Sequence, residues 1–436
     1  MIRENDAPKS EPPPRLRRNI VALGIVQISN YIFPLITLPY LTRVLGAEAY
    51  GKVAFAQALI AYFVLLVDYG FSWSATRDVA AYRSDPERLN NIFAATWGAQ
   101  WLLIVLAAIA LTTIVILSDQ LRSDAKLYLA AFTTVVGVAL FPSWFLQGLE
   151  RMQVVAVLQL LTRVGTLVPI FLFIHCPKDA FWLLIIQGSG AIVGGVLALY
   201  WLFSKSILKW RRPAWSEILG ALRDGGALFA SRIAISAYTV LIPLSLGWVA
   251  GPVALAYFSF ADKLRGAAQS LITPLSQSLF PRMSNLVKAN SAGVHELVQR
   301  SALVVLVVAG LASLALWVFS DWLVILLGGR QFLPAAAVLR WLAPLPLIIG
   351  FSNIFGVQIM IPYGLNRLFN AVLISAAVLA LLVVIPMTYY FGAVGAAQTV
   401  LFIEMWVVIS MGALLWRKSF FKSLWRANVD KINERK

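Results

Sequence analysis

Long apolar runs separated by short polar gaps dominate the chain. Twelve stretches stand out: 19–42, 52–73, 92–117, 126–148, 152–174, 180–203, 222–248, 253–281, 300–327, 333–360, 368–390 and 394–416. A helix needs about 20 mostly apolar residues to cross a hydrocarbon core of roughly 30 Å. Backbone groups in lipid must be satisfied internally, and the short alternating segments of a barrel are absent from the sequence, so the stretches predict helices. The longest gaps, near 204–221 and 282–299, are about 18 residues, too short for an extramembrane domain. The expected fold is an all-α polytopic membrane protein with about 12 transmembrane helices.

Composition sharpens this picture. Of 436 residues, 60% are hydrophobic and 13% charged, with a mean hydropathy of +0.79. Those values exclude an ordinary soluble enzyme and a disordered chain. The net charge of +16 first points to nucleic acid. The placement of the 36 cations argues otherwise. With residues 1–18 inside, 25 Lys and Arg fall on inner segments, six on outer ones, and five inside predicted helices. Lys and Arg are retained on the cytoplasmic side, so both termini are expected to be cytoplasmic. The hydrophilic, Pro-rich residues 1–18 do not resemble a cleavable signal peptide. Trp73, Trp201, Trp210, Trp215, Trp416 and Trp425 lie near predicted inner boundaries as an aromatic belt. A single cysteine, Cys176, excludes an intrachain disulfide, and His175 and His295 make no ligand pair. No cofactor or metal is expected. Gly46 to Lys52 matches the first seven positions of a phosphate-binding loop, but the eighth is Val53, not Ser or Thr, and no strand precedes it.

Gly51-Lys52-Val53-Ala54-Phe55-Ala56-Gln57 is similar to Ala256-Tyr257-Phe258-Ser259-Phe260-Ala261-Asp262 at an offset of 205. Six helices per half would set two six-helix lobes in the same orientation, a parallel repeat with a cavity between them. Chance similarity among apolar helices is the bland alternative. The predicted organisation is a hydrophilic cytoplasmic N-terminus over 1–18, lobes over 19–203 and 222–416, a cytoplasmic linker over 204–221, and a basic tail over 417–436. Pro34, Pro39, Pro142, Pro243, Pro274, Pro344 and Pro346 fall within predicted helices as structural kinks or as hinges.

Polar positions inside the apolar runs carry the chemistry. In the eighth stretch Asp262, Arg265, Gln269, Thr273 and Ser276 recur at spacings of three and four, so they share a face. Arg232, Ser236, Thr239 and Pro243 do the same in the seventh, and Gln27, Asn30, Pro34 and Thr37 in the first; Gln57 and Asp68 stand three turns apart in the second. These faces could line one shared cavity, or act as static glue, with Asp262 paired to Lys263 or Arg265. The deep cations Arg163, Arg232, Lys263, Arg265 and Arg340 outnumber the deep acids Asp262 and Glu404. Unbalanced buried cations call for an anionic partner, and a guanidinium holds phosphate with two parallel hydrogen bonds. Asp262 and Glu404 are candidates for proton or sodium coupling.

Asn19-Ile20 and the run Gln27-Ile28-Ser29-Asn30-Tyr31-Ile32-Phe33-Pro34-Leu35-Ile36-Thr37-Leu38-Pro39-Tyr40-Leu41-Thr42-Arg43-Val44-Leu45-Gly46 resemble the first helix of the Wzx-type O-antigen and polysaccharide-unit flippases. So do Tyr50-Gly51, Phe55-Ala56-Gln57, Asp68-Tyr69-Gly70-Phe71 and Ser74-Ala75-Thr76-Arg77. The resemblance implies the multidrug/oligosaccharidyl-lipid/polysaccharide exporter fold and alternating access. It implies an undecaprenyl-pyrophosphate-linked oligosaccharide as substrate, moved across the bacterial inner membrane for surface polysaccharide. It implies a headgroup role for lumen cations, carried here only to Arg232, Lys263 and Arg265; the shared polar faces, by their spacing, make Gln27, Asn30, Gln57, Ser236, Gln269 and Thr273 the expected cavity lining. A polysaccharide polymerase and a chain-length regulator are possible partners; nucleic acid is not one. Two alternatives stay open. A drug or metabolite antiporter of the same superfamily would favour deep acids. A membrane polymerase or glycosyltransferase would need a large outer loop, and the outer loops here are short.

Overall fold

The computed structural model describes residues 14–270 and 293–417, with Met283, Leu286 and Val287 between them. Side chains of residues 14–28, 31, 227, 228, 230–239, 293 and 295 lie outside the described set. Helix follows helix: α1 (Pro14–Asp68), α2 (Phe71–Ala81), α3 (Pro86–Leu117), α4 (Asp119–Arg122), α5 (Ala125–Leu140), α6 (Ser143–Gly148), α7 (Met152–Phe173), α8 (Ala180–Ser204), α9 (Trp215–Val249) and α10 (Gly251–Ser270). Then come α11 (Gly293–Val318), α12 (Ser320–Gly328), α13 (Ala335–Leu342), α14 (Leu345–Asn353), a π-helical stretch (Ile354–Met360) and α15 (Asn366–Arg417).

Among the described residues, eight helical runs are long and apolar enough to cross a membrane. Two of them, Ile32–Ala81 and Asn366–Arg417, hold 50 and 52 residues. At about 1.5 Å per residue each is far longer than one crossing. Each bends at a glycine that no other residue could replace without strain: Gly46 (φ 73°, ψ 177°) in α1 and Gly392 (φ 55°, ψ −132°) in α15. Helix α10 falls short on apolarity because it carries Asp262, Lys263 and Arg265 close together, and in α9 the described apolar stretch is Val240–Val249. Every predicted stretch has a helix over its described part. The protein is thus an all-α, multi-pass membrane protein.

Several boundaries move for identifiable reasons. The predicted linker 204–221 is partly helical, since α9 begins at Trp215. Glu217 accepts the Ala214 N–H at 2.8 Å and so satisfies an orphan donor at that end. Pro142 breaks the fourth stretch rather than kinking it, because the chain turns between α5 and α6. Pro344 and Pro346 open α14, where a missing N–H costs nothing. Pro34, Pro39 and Pro243 do lie inside helices, and Pro274 lies outside the described residues. Helix α3 starts at Pro86, six residues before the predicted stretch, because the Asp85 carboxylate caps the N–H groups of Glu87 and Arg88 at 3.1 Å.

In the first half, α5 packs along α8, and α1 along α5 and α7. Glycines permit this: a Cβ at Gly188 would meet Thr133 Oγ1 at 1.7 Å, and one at Gly195 would meet Leu140 Cβ at 2.5 Å. In the second half α9 packs along α15, and α13 and α14 also contact it. The lipid face is read from exposed apolar stripes. On α7, Val157, Leu161, Val164 and Val168 face outward at helical spacing, and Trp73, Trp210, Trp215 and Trp416 are exposed at the ends.

Candidate functional site

The two halves meet most closely at the face that the cation distribution predicts to be outer. The turn at Gly46 brings residues 42–52 against α10 and α12. Gly51 is the closest approach: a Cβ there would lie 1.8 Å from the Pro252 carbonyl oxygen. Around it, Arg43 Nη2 donates to the Leu326 carbonyl at 2.6 Å, Thr42 Oγ1 to the Leu327 carbonyl at 3.2 Å, and Gln331 Nε2 to the Thr42 carbonyl at 2.7 Å. Tyr50, Tyr257 and Phe260 pack their rings on Phe332. At the opposite face the halves touch through Tyr69 and Phe229, stacked at 4.5 Å.

Helix α10 places its charged residues next to this seam. Arg265 Nε donates to Asp262 Oδ1 at 2.7 Å, one turn apart on the face the spacing predicts. Lys263 leaves that face: its Nζ donates to the Tyr50 hydroxyl at 2.7 Å and lies 4.9 Å from the centre of the same ring. It therefore joins α10 to the opposite half. Gln269 is half-buried further along α10. Thr273 and Ser276 lie outside the described residues, as do the side chains of Gln27, Arg232, Ser236 and Thr239.

Asn30 and Gln57 turn into the first half. Asn30 Oδ1 accepts a hydrogen bond from Arg163 Nη2, and Arg163 Nη1 donates to the Ser29 carbonyl at 3.2 Å. Gln57 Nε2 donates to Gln187 Oε1 at 2.7 Å. Arg163 and Gln187 belong to the wall of a cavity of about 440 Å³ between α5, α7 and α8, which Ser143, Gln159, Thr162 and Thr166 also line. The polar residues of the first two predicted helices thus reach this cavity through α7 and α8. Gln159, Thr162 and Thr166 are not among the residues singled out from the sequence. Their signal is present there: with Arg163 they recur at three- and four-residue spacing along the fifth stretch.

Arg340, expected at depth, pairs instead with Asp321 and with Ser320 Oγ at 2.9 Å, and its side chain is 45% exposed. The helix break at Phe319 brings that acid to it. Glu404 is half-buried on α15, and Asp68 accepts from Ser72 Oγ at 3.2 Å. Among the described residues, no three His, Cys, Asp or Glu side chains gather as a metal site.

A chain of paired, glycine-bent crossings in two packed halves, with polar and cationic groups turned inward, is a polytopic transporter. Solved structures share this fold. An inward-facing multidrug resistance MATE family transporter of the MOP superfamily superposes with a TM-score of 0.69 at 13% identity, covering 93% of this chain and 99% of its own. The lipid II flippase MurJ in an inward closed conformation also gives 0.69 at 13% identity, covering 93% and 91%. The family described as "Polysaccharide biosynthesis protein" matches residues 16–287, and the chain belongs to it. A "Putative O-antigen transporter" of Escherichia coli strain K12 is 32% identical over 396 residues, 91% of this chain and 95% of that protein. One of the same name from Shigella dysenteriae is 29% identical over 398 residues, covering 91% and 99%. The relatives' names and the family make this a transporter rather than an enzyme, and the family resemblance of residues 19–80 holds across most of the chain.

Proposed function

We propose that the protein is a flippase for undecaprenyl-pyrophosphate-linked oligosaccharide units, working by alternating access in the bacterial inner membrane. The lobes 19–203 and 222–416 are its moving bodies, and both termini are cytoplasmic. The O-antigen transporter relatives and the flippase among the structural neighbours support this reading. The observation that carries it is electrostatic: among the described residues at membrane depth, the cations Arg163, Lys263 and Arg265 outnumber the acids Asp262 and Glu404, and Asp262 is already paired with Arg265. A drug antiporter that binds cations calls for the opposite balance. The headgroup is held by Arg232, Lys263 and Arg265, and Asp262 and Glu404 serve ion coupling. A polysaccharide polymerase and a chain-length regulator act on the delivered unit.

A deletion strain should accumulate lipid-linked units on the inner leaflet and lack surface polysaccharide. Complementation with Arg232→Ala or Arg265→Ala should fail although the protein stays in the membrane. Normal polysaccharide with both variants overturns the headgroup role. Lipid-linked units accumulating on the outer leaflet instead point to a polymerase.

A further inference from the structure

Two cavities adjoin at the end of the bundle that the cation distribution predicts to be outer. The upper, of about 230 Å³, takes Lys52, Asp124 and Tyr128 from the first half and Gly247 and Pro252 from the second. The lower, of about 330 Å³, takes Leu59 and Ile114 from the first half and Leu244, Trp248 and Ile385 from the second. Phe55 and Leu121 wall both. Leu59 follows Lys52 by two turns of α1, about 10 Å further into the bilayer. Ile114, Trp248 and Ile385 are exposed, so the lower cavity is open on the lipid side. A polar end at the interface over an apolar end in the hydrocarbon is the shape of a bilayer lipid.

The upper cavity carries one cation and one acid. Lys52 Nζ stands 3.2 Å from Asp124 Oδ2, with the side chains 35% and 26% exposed. Glu48 lies 3.8 Å from the same ammonium. An anion drawn to Lys52 therefore also meets a carboxylate, whereas a zwitterion finds a partner for each of its charges. Tyr128 points to a ligand independently. It is 5% exposed, its ring meets Phe55 edge-on at 6.1 Å, and its hydroxyl makes no hydrogen bond among the described residues. A hydroxyl buried without a partner is unfavourable, and this one lines the cavity.

The structure assigns the joined cavities to a bilayer phospholipid with a phosphoethanolamine headgroup, which bridges the two halves beside the seam at Gly51 and Pro252. Its phosphate accepts from Lys52 and Tyr128, its ammonium donates to Asp124, and one acyl chain fills the lower cavity. A primary ammonium has three N–H donors for a carboxylate; the quaternary ammonium of phosphatidylcholine has none, and phosphatidylglycerol has no cation. This lipid is a resident of the seam and not the transported species, so the site stands whatever substrate the protein carries.

The test is native mass spectrometry of the purified full-length protein in detergent, with dioleoyl phosphatidylethanolamine, phosphatidylcholine and phosphatidylglycerol as probes. Phosphatidylethanolamine should bind saturably and roughly ten-fold tighter than the other two. Asp124→Asn should lose about ten-fold or more and with it the preference over phosphatidylcholine, a change that loss of packing alone would not produce. Tyr128→Phe keeps the ring and should lose about two- to ten-fold; it carries the test if Asp124→Asn is not recovered folded. Ser245→Trp should block the lower cavity, which Ser245 also lines, and abolish binding. Equal binding of phosphatidylcholine overturns the proposal. So does tighter binding of phosphatidylglycerol, which would move the headgroup to Lys126 and Lys178 in the neighbouring outer cavity. Binding by both Tyr128→Phe and Asp124→Asn within about two-fold of wild type also overturns it. Displacement of the bound phospholipid by an equal concentration of farnesyl diphosphate overturns it too, since the cavities would then belong to the transported lipid.

Discussion

At the scale of the residue, what matters is whether a charge is already spent. Glu217 is one example outside the membrane-spanning segments. The Ala214 N–H, and then the Arg211 guanidinium at 2.8 Å, hold its carboxyl below the usual carboxylate range. A depressed carboxyl stabilises the fold above its unfolded pKa, about 4.3, and that support is lost as pH falls through the lower folded value. Amide exchange at the start of α9, corrected for intrinsic rates, should therefore rise as pH drops below about 4. Glu217→Gln should exchange faster at neutral pH and respond little to the same acidification. The same accounting separates Arg163, Lys263 and Arg265, which the sequence presents as equivalent. The spacing of Asp262 and Arg265 on one helix makes their pairing legible. The bond from Lys263 to Tyr50 joins residues 213 positions apart and has no local trace.

At the scale of the element, the predicted stretches match helices where apolar length decides, and miss where caps and breaks decide. The start of α9 at Trp215 depends on one side chain reaching back to Ala214. The turn at Phe141–Pro142 and the break at Phe319 sit within apolar runs, so hydropathy passes over them. Gly46 is the sharpest case. Its backbone, φ 73° and ψ 177°, lies in a region open essentially to glycine alone. Gly46→Ala should destabilise the protein by about 1–3 kcal/mol, read as a lower unfolding temperature in detergent. Gly165 lies inside α7 without a positive φ, and a Cβ added there would meet no atom within 4 Å. Gly165→Ala should therefore be neutral or slightly stabilising in the same assay.

At the scale of the whole molecule, the proposed alternating access turns on how the two halves meet. The seam at Gly51 and Pro252 leaves no room for a side chain. Gly51→Val should hold the lobes apart at that face and abolish transport while leaving each lobe folded. Labelling of a cysteine introduced at Ser259, in a Cys176→Ser background, should rise when Gly51→Val is added. Unchanged labelling with normal export overturns a gating role for this seam.

The sequence by itself determined the class, the apolar helical stretches and the family, because all three are written in apolar length and in local runs such as residues 27–46. It also marked the candidate cations, since a charge inside an apolar stretch stands out against its neighbours. Tertiary structure alone decided what Arg163, Lys263 and Arg340 meet. Arg163 reaches Asn30 across 133 positions and Gln57 reaches Gln187 across 130. Such partners depend on the rotation and crossing of packed helices, as where Gly188 and Gly195 let α8 close on α5. Helical periodicity says which face a residue occupies; only the assembled bundle says which helix that face looks at.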